Sequence, residues 1–273
     1  MDHRPALACG GRAALAALMA ALIQSLYRYP IKGFTPEPVP AAVLQAGAYF
    51  PDDRLYAVEN GPSAFKPWAP GFVPKSAFTV LASIPKVAMA RTAFDPATGA
   101  LTVRAEHHPP FAGELRSARG RKAFAAWLTD FLGPDAVRGP LKVLTAPPHR
   151  FTDHPEGFIS VINLASVRDL AAKLGADIDP LRFRANLYVE GWPPWAEMDW
   201  PAETEVVLGD ARAALFKPIV RCAAIHVDPA TGERDQDLCG ALWSFYGHRY
   251  CGLYLKITGG GRVQVGDKAE RTA

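Results

Sequence analysis

The segment FKPIVRCAAIHVDPATGERD, Phe216–Asp235, carries one cysteine, Cys222, directly after Arg221 and at the head of a short β-prone run. No second cysteine stands at CxxC spacing, so the residues encode neither a zinc ribbon nor an iron–sulfur quartet. A single thiol beside a guanidinium suits two chemistries. A cationic neighbour favours the thiolate, which is the form that binds a soft metal. The same thiolate can also carry a persulfide sulfur. On the residues alone, a buried structural cysteine stays open as a third reading.

Basic residues recur at the edges of other β-like runs. Lys32 ends the first run in YPIKG, Arg54 precedes another in DDRLYAVEN, and RFRANLYVEG supplies Arg182, Arg184 and Asn186. In an extended segment those last three side chains share one face. Guanidinium forks clamp phosphate oxygens, and an amide offers both a donor and an acceptor, so the row suits an anion such as a phosphate. Taken singly, each cation is an ordinary surface or ion-pair residue. Cys239 and Cys251 have apolar neighbours and read as core; a disulfide between them stays open. Trp192, Trp195 and Trp200 form either an aromatic wall or simple packing, and Glu197 and Asp199 between them read as surface.

These residues must be positioned by a chain that is mostly strand. Short apolar runs bounded by Gly, Pro, Asn and Asp predict strands over Leu26–Ile31, Arg54–Glu59, Phe78–Ile84, Val87–Phe94, Leu101–Ala105, Phe158–Asn163, Asn186–Val189, Val206–Leu208, Ala211–Phe216, Leu253–Ile257 and Val263–Val265. The sequence DPATG occurs twice, at Asp95–Gly99 and Asp228–Gly232, with the Asp, Pro and Gly that a bulged hairpin turn requires. Helices are few. Arg121–Leu132 sets Phe124, Leu128, Phe131 and Leu132 on one stripe, Ser166 is expected to open a second helix that Gly175 closes, and Asp235–Phe245 is a third candidate. Lys66–Pro74 is too rich in proline for regular structure and predicts a rim loop.

The 273 residues suit one large domain or two joined ones, and a net charge of +3 from 30 basic and 27 acidic residues gives no reason to expect nucleic acid. The apolar run within the Ala-rich start, Ala13–Ile23, is too short to span a bilayer, so no stable membrane insertion is expected. Residues 1–24 read as an N-terminal extension, disordered or helical. Residues 25–145 read as an N-terminal β module and 146–273 as a second domain that holds the RFRxN and RC motifs. Sparse cysteine use suits a reducing compartment, and the expected location is cytoplasmic.

Several pieces appear in a recognisable order: YRYPIKG, DDRLYAVEN, ISVINLASVRDL, RFRANLYVEG, WAEMDW, VVLGDARAALFKPIVRCAAIHVDPATGERD and GRVQVGD. Over residues 25–268 the chain resembles the MOSC proteins, named for the C-terminal domain of molybdenum cofactor sulfurase. The arrangement with an N-terminal barrel module is similar to the mitochondrial amidoxime-reducing component and its bacterial relatives. The resemblance implies a β-rich α+β fold, a MOSC-type β-barrel with a few helices plus an N-terminal β-barrel module. It also implies a molybdenum cofactor (Mo-molybdopterin) with Cys222 as the metal's protein ligand and catalytic residue. Arg221 matches the ligand's neighbour, while Arg182, Arg184 and Asn186 fall in the RFRxN motif that contacts the cofactor. Lys32 and Arg54 match cations that hold the cofactor phosphate, and Ser160 and Asn163 lie in a further cofactor-contacting segment. Three departures bear on substrate preference: Ala185 replaces the usual proline, no proline or second cysteine precedes Arg221 in PIVRC, and FVPKSAF with Lys75 stands where a threonine–arginine motif is expected.

The resemblance implies an oxidoreductase that reduces N-hydroxylated or N-oxide-like small molecules by oxygen-atom removal at molybdenum. With no cysteine quartet and no GxGxxG fingerprint before the chain ends at Ala273, electrons are expected from a separate reductase or ferredoxin-like protein. The alternative is a sulfur-carrier or cofactor-handling protein with a persulfide on Cys222; a binding module without catalysis is a third possibility.

Overall fold

The structure, a computed structural model, describes residues 20–154 and 156–272. In chain order the first half runs β1 (Ala20–Arg28), β2 (Glu37–Val39), β3 (Ala41–Leu44), β4 (Ala57–Asn60), β5 (Arg91–Asp95), β6 (Ala100–Ala105), β7 (His108–Glu114), α1 (Ala118–Leu132) and β8 (Leu141–Leu144). The second half runs β9 (Ile159–Asn163), α2 (Leu164–Leu174), β10 (Leu187–Glu190), β11 (Glu205–Leu208), β12 (Ala211–Val220), α3 (Leu238–Tyr246), β13 (Tyr250–Gly259), β14 (Gly261–Gln264) and β15 (Lys268–Arg271).

Seven strands close into a barrel in the order β10-β9-β13-β12-β11-β15-β1, with β1 pairing back to β10 and β2 added at the side of β1. Closure removes free sheet edges. The strand that closes it is the first described, β1: Ile23 faces Val189 of β10 and Ala21 faces Ala269 of β15. A bulge between Ile23 and Ser25 shifts the inward parity, so that Ala21, Ile23 and Leu26 all enter the barrel core while Leu22 is 46% exposed. Residues 20–24 are therefore strand and not extension; the rest of the expected arm, 1–19, lies outside the described residues. An Ala-rich run favours helix locally, and pairing with two distant strands overrides that preference.

The second body is built from β4 paired with β8, the meander β5–β6–β7, and α1. Ser117 caps α1 by accepting from Gly120 N–H, and Phe124, Leu128, Phe131 and Leu132 bury the predicted stripe. The DPATG turn at Asp95–Gly99 joins β5 to β6, with Gly99 at φ 80° and its N–H on Asp95 O. The strand expected over Phe78–Ile84 is a turn segment with one bridge, and Val87–Met89 lies in a 3-10 turn started by Pro85; only Arg91–Phe94 of the next expected run is strand. Proline fixes the turn dihedrals there and withholds an N–H from any ladder. Helix α2 begins at Asn163, whose side chain accepts from Ala165 N–H, not at Ser166. Among the described residues no helix is long and apolar enough to cross a membrane.

Candidate cofactor site between the barrel end and the N-terminal body

A cavity with about 150 Å³ of water-accessible interior opens where the end of the barrel meets the 29–82 segment. Six cations line it, Lys32, Arg54, Lys75, Arg182, Arg184 and Arg221, against Asp53, Asp153 and Glu156. The cavity gathers Lys32, Arg54, Ser160, Arg182, Arg184, Asn186, Arg221 and Cys222, all singled out in the sequence, from positions up to 190 residues apart.

Cys222 lies two residues past the end of β12, in extended backbone at φ −129° and ψ 173°, and it caps a 3-10 turn at Ala223–His226. Its thiol is half-buried and free; those of Cys239, half-buried, and Cys251, fully buried, are free as well, and Cys9 lies outside the described residues. The cation at the sulfur is Lys75, whose Nζ is 3.1 Å from Sγ. Burial lowers the pKa of the Lys75 ammonium, but Asp153 and Cys222 outweigh it and raise the value above the ordinary lysine range.

Arg221 does not serve the thiol as its position in sequence suggests. Its guanidinium turns inward, with Nε 2.7 Å and Nη2 2.5 Å from Cys251 O and Nη1 2.8 Å from Phe183 O. Irregularities between β12 and β13 around Pro218–Val220 rotate the chain so that Arg221 enters the interior. Gly252 makes room: a Cβ there would sit 2.4 Å from Val161 O and 3.1 Å from Arg221 Nη2, and its φ is +79°. Arg221 is thus a clamp that ties the Cys222 segment to β13 and to the RFRAN turn. Replacing it with methionine strands two buried carbonyls, and urea denaturation should show a loss of about 2–5 kcal/mol. A stable Arg221→Met protein that merely loses its cofactor would instead return Arg221 to the thiol.

The RFRAN segment is not extended. Asp179 accepts from Leu181 N–H and Pro180 starts a 3-10 turn over Pro180–Phe183, which Arg184 ends in left-handed backbone at φ 55°. Pro180 presets the turn dihedrals, so the common face expected for residues 182, 184 and 186 is broken. Each finds a separate role. Arg182 is 3% exposed and donates to Asp228 and Asp235, which anchors the second DPATG turn behind Cys222. Asn186 Oδ1 accepts from Ser160 N–H and Oγ–H, and its Nδ2 donates to Tyr27 O; both residues serve as ties between β9 and the turn. Asn163 lies away from the cavity: it caps α2 and donates to Pro193 O and to Glu197 Oε2. Glu197, expected at the surface, is 1% exposed, and burial raises its carboxyl above the ordinary range. Trp192 and Trp200 are packed in the barrel core, 4.8 Å apart at their ring centroids, and do not line the cavity.

Arg184 and Arg54 stand side by side on one aromatic ring of the cavity. Their guanidinium carbons lie 4.5 and 4.3 Å from the centroid of the Tyr29 ring, which is fully buried. Asp53, fixed by Tyr29 N–H at 2.7 Å, pairs with Arg54. Arg184 has no such acid; its Nη2 is buried without a hydrogen-bond partner. Burial lowers the Arg184 pKa, and the charge of Arg54 adds to the effect. Two adjacent guanidinium groups, one with an orphan donor, need an anion to repay their desolvation. Lys32, 7% exposed, donates to Phe151 O and to Asp153 in the same cavity. Burial pushes the half-exposed Asp153 carboxyl up, but Lys32, Lys75 and Arg54 outweigh it and hold it at about 2. Its contribution to stability is thus present above the ordinary aspartate value near ~3.9 and lost as pH falls toward 2. The stability gap between wild type and Asp153→Asn should therefore be constant above pH ~5 and shrink progressively as pH falls toward and below 2 in acid titrations followed by circular dichroism. A gap that is as large at pH 2 as at pH ~6 would remove the carboxylate from this network.

Sequence reasoning missed Tyr29 and Asp53 as the platform of the Arg54–Arg184 pair, and Lys75 and Asp153 at the thiol. The basic Lys75 in FVPKSAF was the one legible signal.

Two families match the chain: "MOSC N-terminal beta barrel domain" over residues 20–138 and "MOSC domain" over residues 148–270. Curated relatives include a molybdenum cofactor sulfurase of Anopheles gambiae, 36% identical over 111 residues, and one of Caenorhabditis briggsae, 32% identical over 100 residues. The match covers 36% and 35% of this chain and 14% of each relative, so the chain spans a small part of their length. Among solved structures, the YuaD protein of Bacillus subtilis covers 93% of this chain and 96% of its own at a TM-score of 0.46 and 16% identity. YiiM of Geobacillus stearothermophilus covers 42% of this chain and 54% of its own at a TM-score of 0.34 and 18% identity.

Proposed function

Because the chain belongs to the MOSC proteins that carry an N-terminal MOSC beta barrel domain, we propose that it is a molybdenum cofactor-dependent reductase of N-hydroxylated or N-oxide-like small molecules. One observation carries this reading: a half-buried thiol shares a cavity with two guanidinium groups, one of which has a buried donor without a partner. Arg54, Arg184 and Lys32 would hold the cofactor's phosphate, and Cys222 would supply a thiolate ligand to the metal. When bound, the cofactor supplies the two-electron removal of oxygen from the substrate nitrogen. The protein fixes the thiol through the Arg221 and Arg182 clamps and keeps Lys75 on the sulfur.

Reduction of an N-hydroxyl group to the amine consumes two electrons and two protons and releases water, so the reaction needs a reductant. The sequence has no nicotinamide-binding GxGxxG fingerprint, and we assign the supply to a separate electron-donor protein in the same cytoplasmic compartment. The protein loaded with cofactor should therefore turn over negligibly with NADH alone and reduce benzamidoxime once an artificial donor such as reduced methyl viologen is added. Robust NADH-driven turnover by the purified chain would overturn the assignment.

The name of the curated relatives, together with the accessible thiol, favours a second reading in which Cys222 holds a persulfide and the protein handles sulfur or cofactor. Labile sulfur released by cold cyanide from metal-free protein, and absent from Cys222→Ser, would support it over the reductase.

A further inference from the structure

Nine large apolar side chains among the described residues are at least 40% exposed, and six of them stand on segments that meet around the thiol. Trp68, 82% exposed, and Phe72 belong to the proline-rich run before Lys75, whose Nζ lies on Cys222 Sγ. Val220 is exposed two residues before Cys222 and lines the cavity, and Tyr250 is its partner across β12 and β13. Trp243, 64% exposed, and Phe245 lie on α3, which the Cys239 N–H ties to His226 at the end of the turn that Cys222 opens. The rings of Tyr246, His248 and Tyr250 carry this surface from α3 toward Val220, with successive centroids 6.0 and 5.2 Å apart. Single apolar residues scattered over a surface need no partner, whereas a cluster around one opening does. Exposed cations stand among them: Lys66 near Trp68, Lys217 on β12 and Arg249 beside Tyr250. Of the exposed acids there, Asp237 is engaged as the cap of α3, which leaves Glu156.

We propose that this face docks a small acidic one-electron redox protein of the ferredoxin type over the mouth of the Cys222 cavity. The inference rests on the reductase reading, which brings electrons to this cavity from another protein. Electron transfer weakens steeply with distance, so such a donor must present its redox group at the mouth. Trp68 and Trp243 reach the thiol region from separate parts of the chain, so an occupant that touches both covers the opening. The cations favour an acidic surface and steer its approach. A face with a few aromatic anchors and a charged fringe suits a small, short-lived contact, as repeated delivery requires. Each docking hands over one electron. Two dockings, with two protons from water, therefore reduce one N-hydroxyl group to the amine and release water.

Calorimetric titration of the full chain with oxidised plant-type ferredoxin, an acidic [2Fe–2S] protein, tests this beside turnover of the cofactor-loaded enzyme. Wild type should bind ferredoxin with micromolar Kd at low salt and more weakly at high salt. Trp68→Ala, Trp243→Ala and Arg249→Glu should each weaken binding at least about fivefold, and lower ferredoxin-driven turnover to match. All three should keep wild-type turnover with reduced methyl viologen, a small donor that needs no docking face. A wild type that does not bind ferredoxin, or variants of native circular dichroism that bind it as wild type does, overturns the inference. So does sedimentation that shows a dimer dissolved by Trp68→Ala and Trp243→Ala, which would give the face to a second copy. Binding of wild type but not of these variants to phosphatidylglycerol vesicles would overturn it in favour of a membrane surface. Turnover with methyl viologen separates the two readings. If loaded wild type shows none, the reductase reading falls; if it turns over while the variants bind ferredoxin normally, only the docking face falls.

Discussion

Cys222→Ser should fold normally and lose at least about a hundredfold in oxygen-atom removal. The side chain sits half-buried in extended backbone beyond β12, where serine has nearly the same size and meets no steric change. The melting temperature should therefore move by only a few degrees. The chemistry should not survive, because a hydroxyl is a harder and far less acidic ligand than a thiol. The control is Cys239→Ser. Cys239 is also half-buried, but its backbone N–H caps against His226 Nε2 at the start of α3, and it lies outside the residues that line the cavity. It should keep wild-type turnover. Wild-type turnover in Cys222→Ser would remove the thiol from the reaction, whereas equal losses in both variants would point to damage of the fold around α3.

Arg184→Ala should purify with about a tenth or less of the wild-type cofactor content. The guanidinium stacked on Tyr29 is the one cation of the anion pair whose buried donor has no protein partner. Its removal costs the fold little. The lost ring contact of about 0.5–2 kcal/mol is offset by relief of repulsion with Arg54. The Arg184 carbonyl that accepts from Arg54 Nη2 remains, and alanine adopts the left-handed backbone at no more cost than arginine. Thermal stability should thus stay close to wild type while the cofactor, measured by fluorescence of its oxidised pterin, is lost. A full cofactor complement would place the phosphate elsewhere.

What the sequence reveals is what sits within a motif. Cys222, the RFRAN arginines, Lys32 and Arg54 are visible because short runs of residue types carry them, and all line one cavity. Which way a side chain turns is a different matter. Arg221 adjoins Cys222 in the chain, yet a local irregularity between two strands sends its guanidinium to carbonyls on the far side. The cation that reaches the sulfur comes from residue 75, at a separation of 147 positions and in a short 3-10 turn that follows a proline-rich loop with no periodic signal. Asn163 is a good acceptor at a strand end, and the N–H groups of α2 claim it before any ligand can. The strand β1 was legible only from Leu26 onward, because its first residues are strand by virtue of partners more than 160 positions away. Glu197 looked like surface between two tryptophans, and its burial depends on Ser166 and Asn163 waiting to donate to it.

Metal analysis joined to X-ray absorption on protein made in a host that synthesises the molybdenum cofactor tests the central assignment most directly. Wild type should contain about one molybdenum per chain, with one more sulfur ligand at the metal than Cys222→Ser shows, and Cys239→Ser should match wild type. Wild-type protein without molybdenum, or a Cys222→Ser spectrum with the wild-type sulfur count, would contradict it.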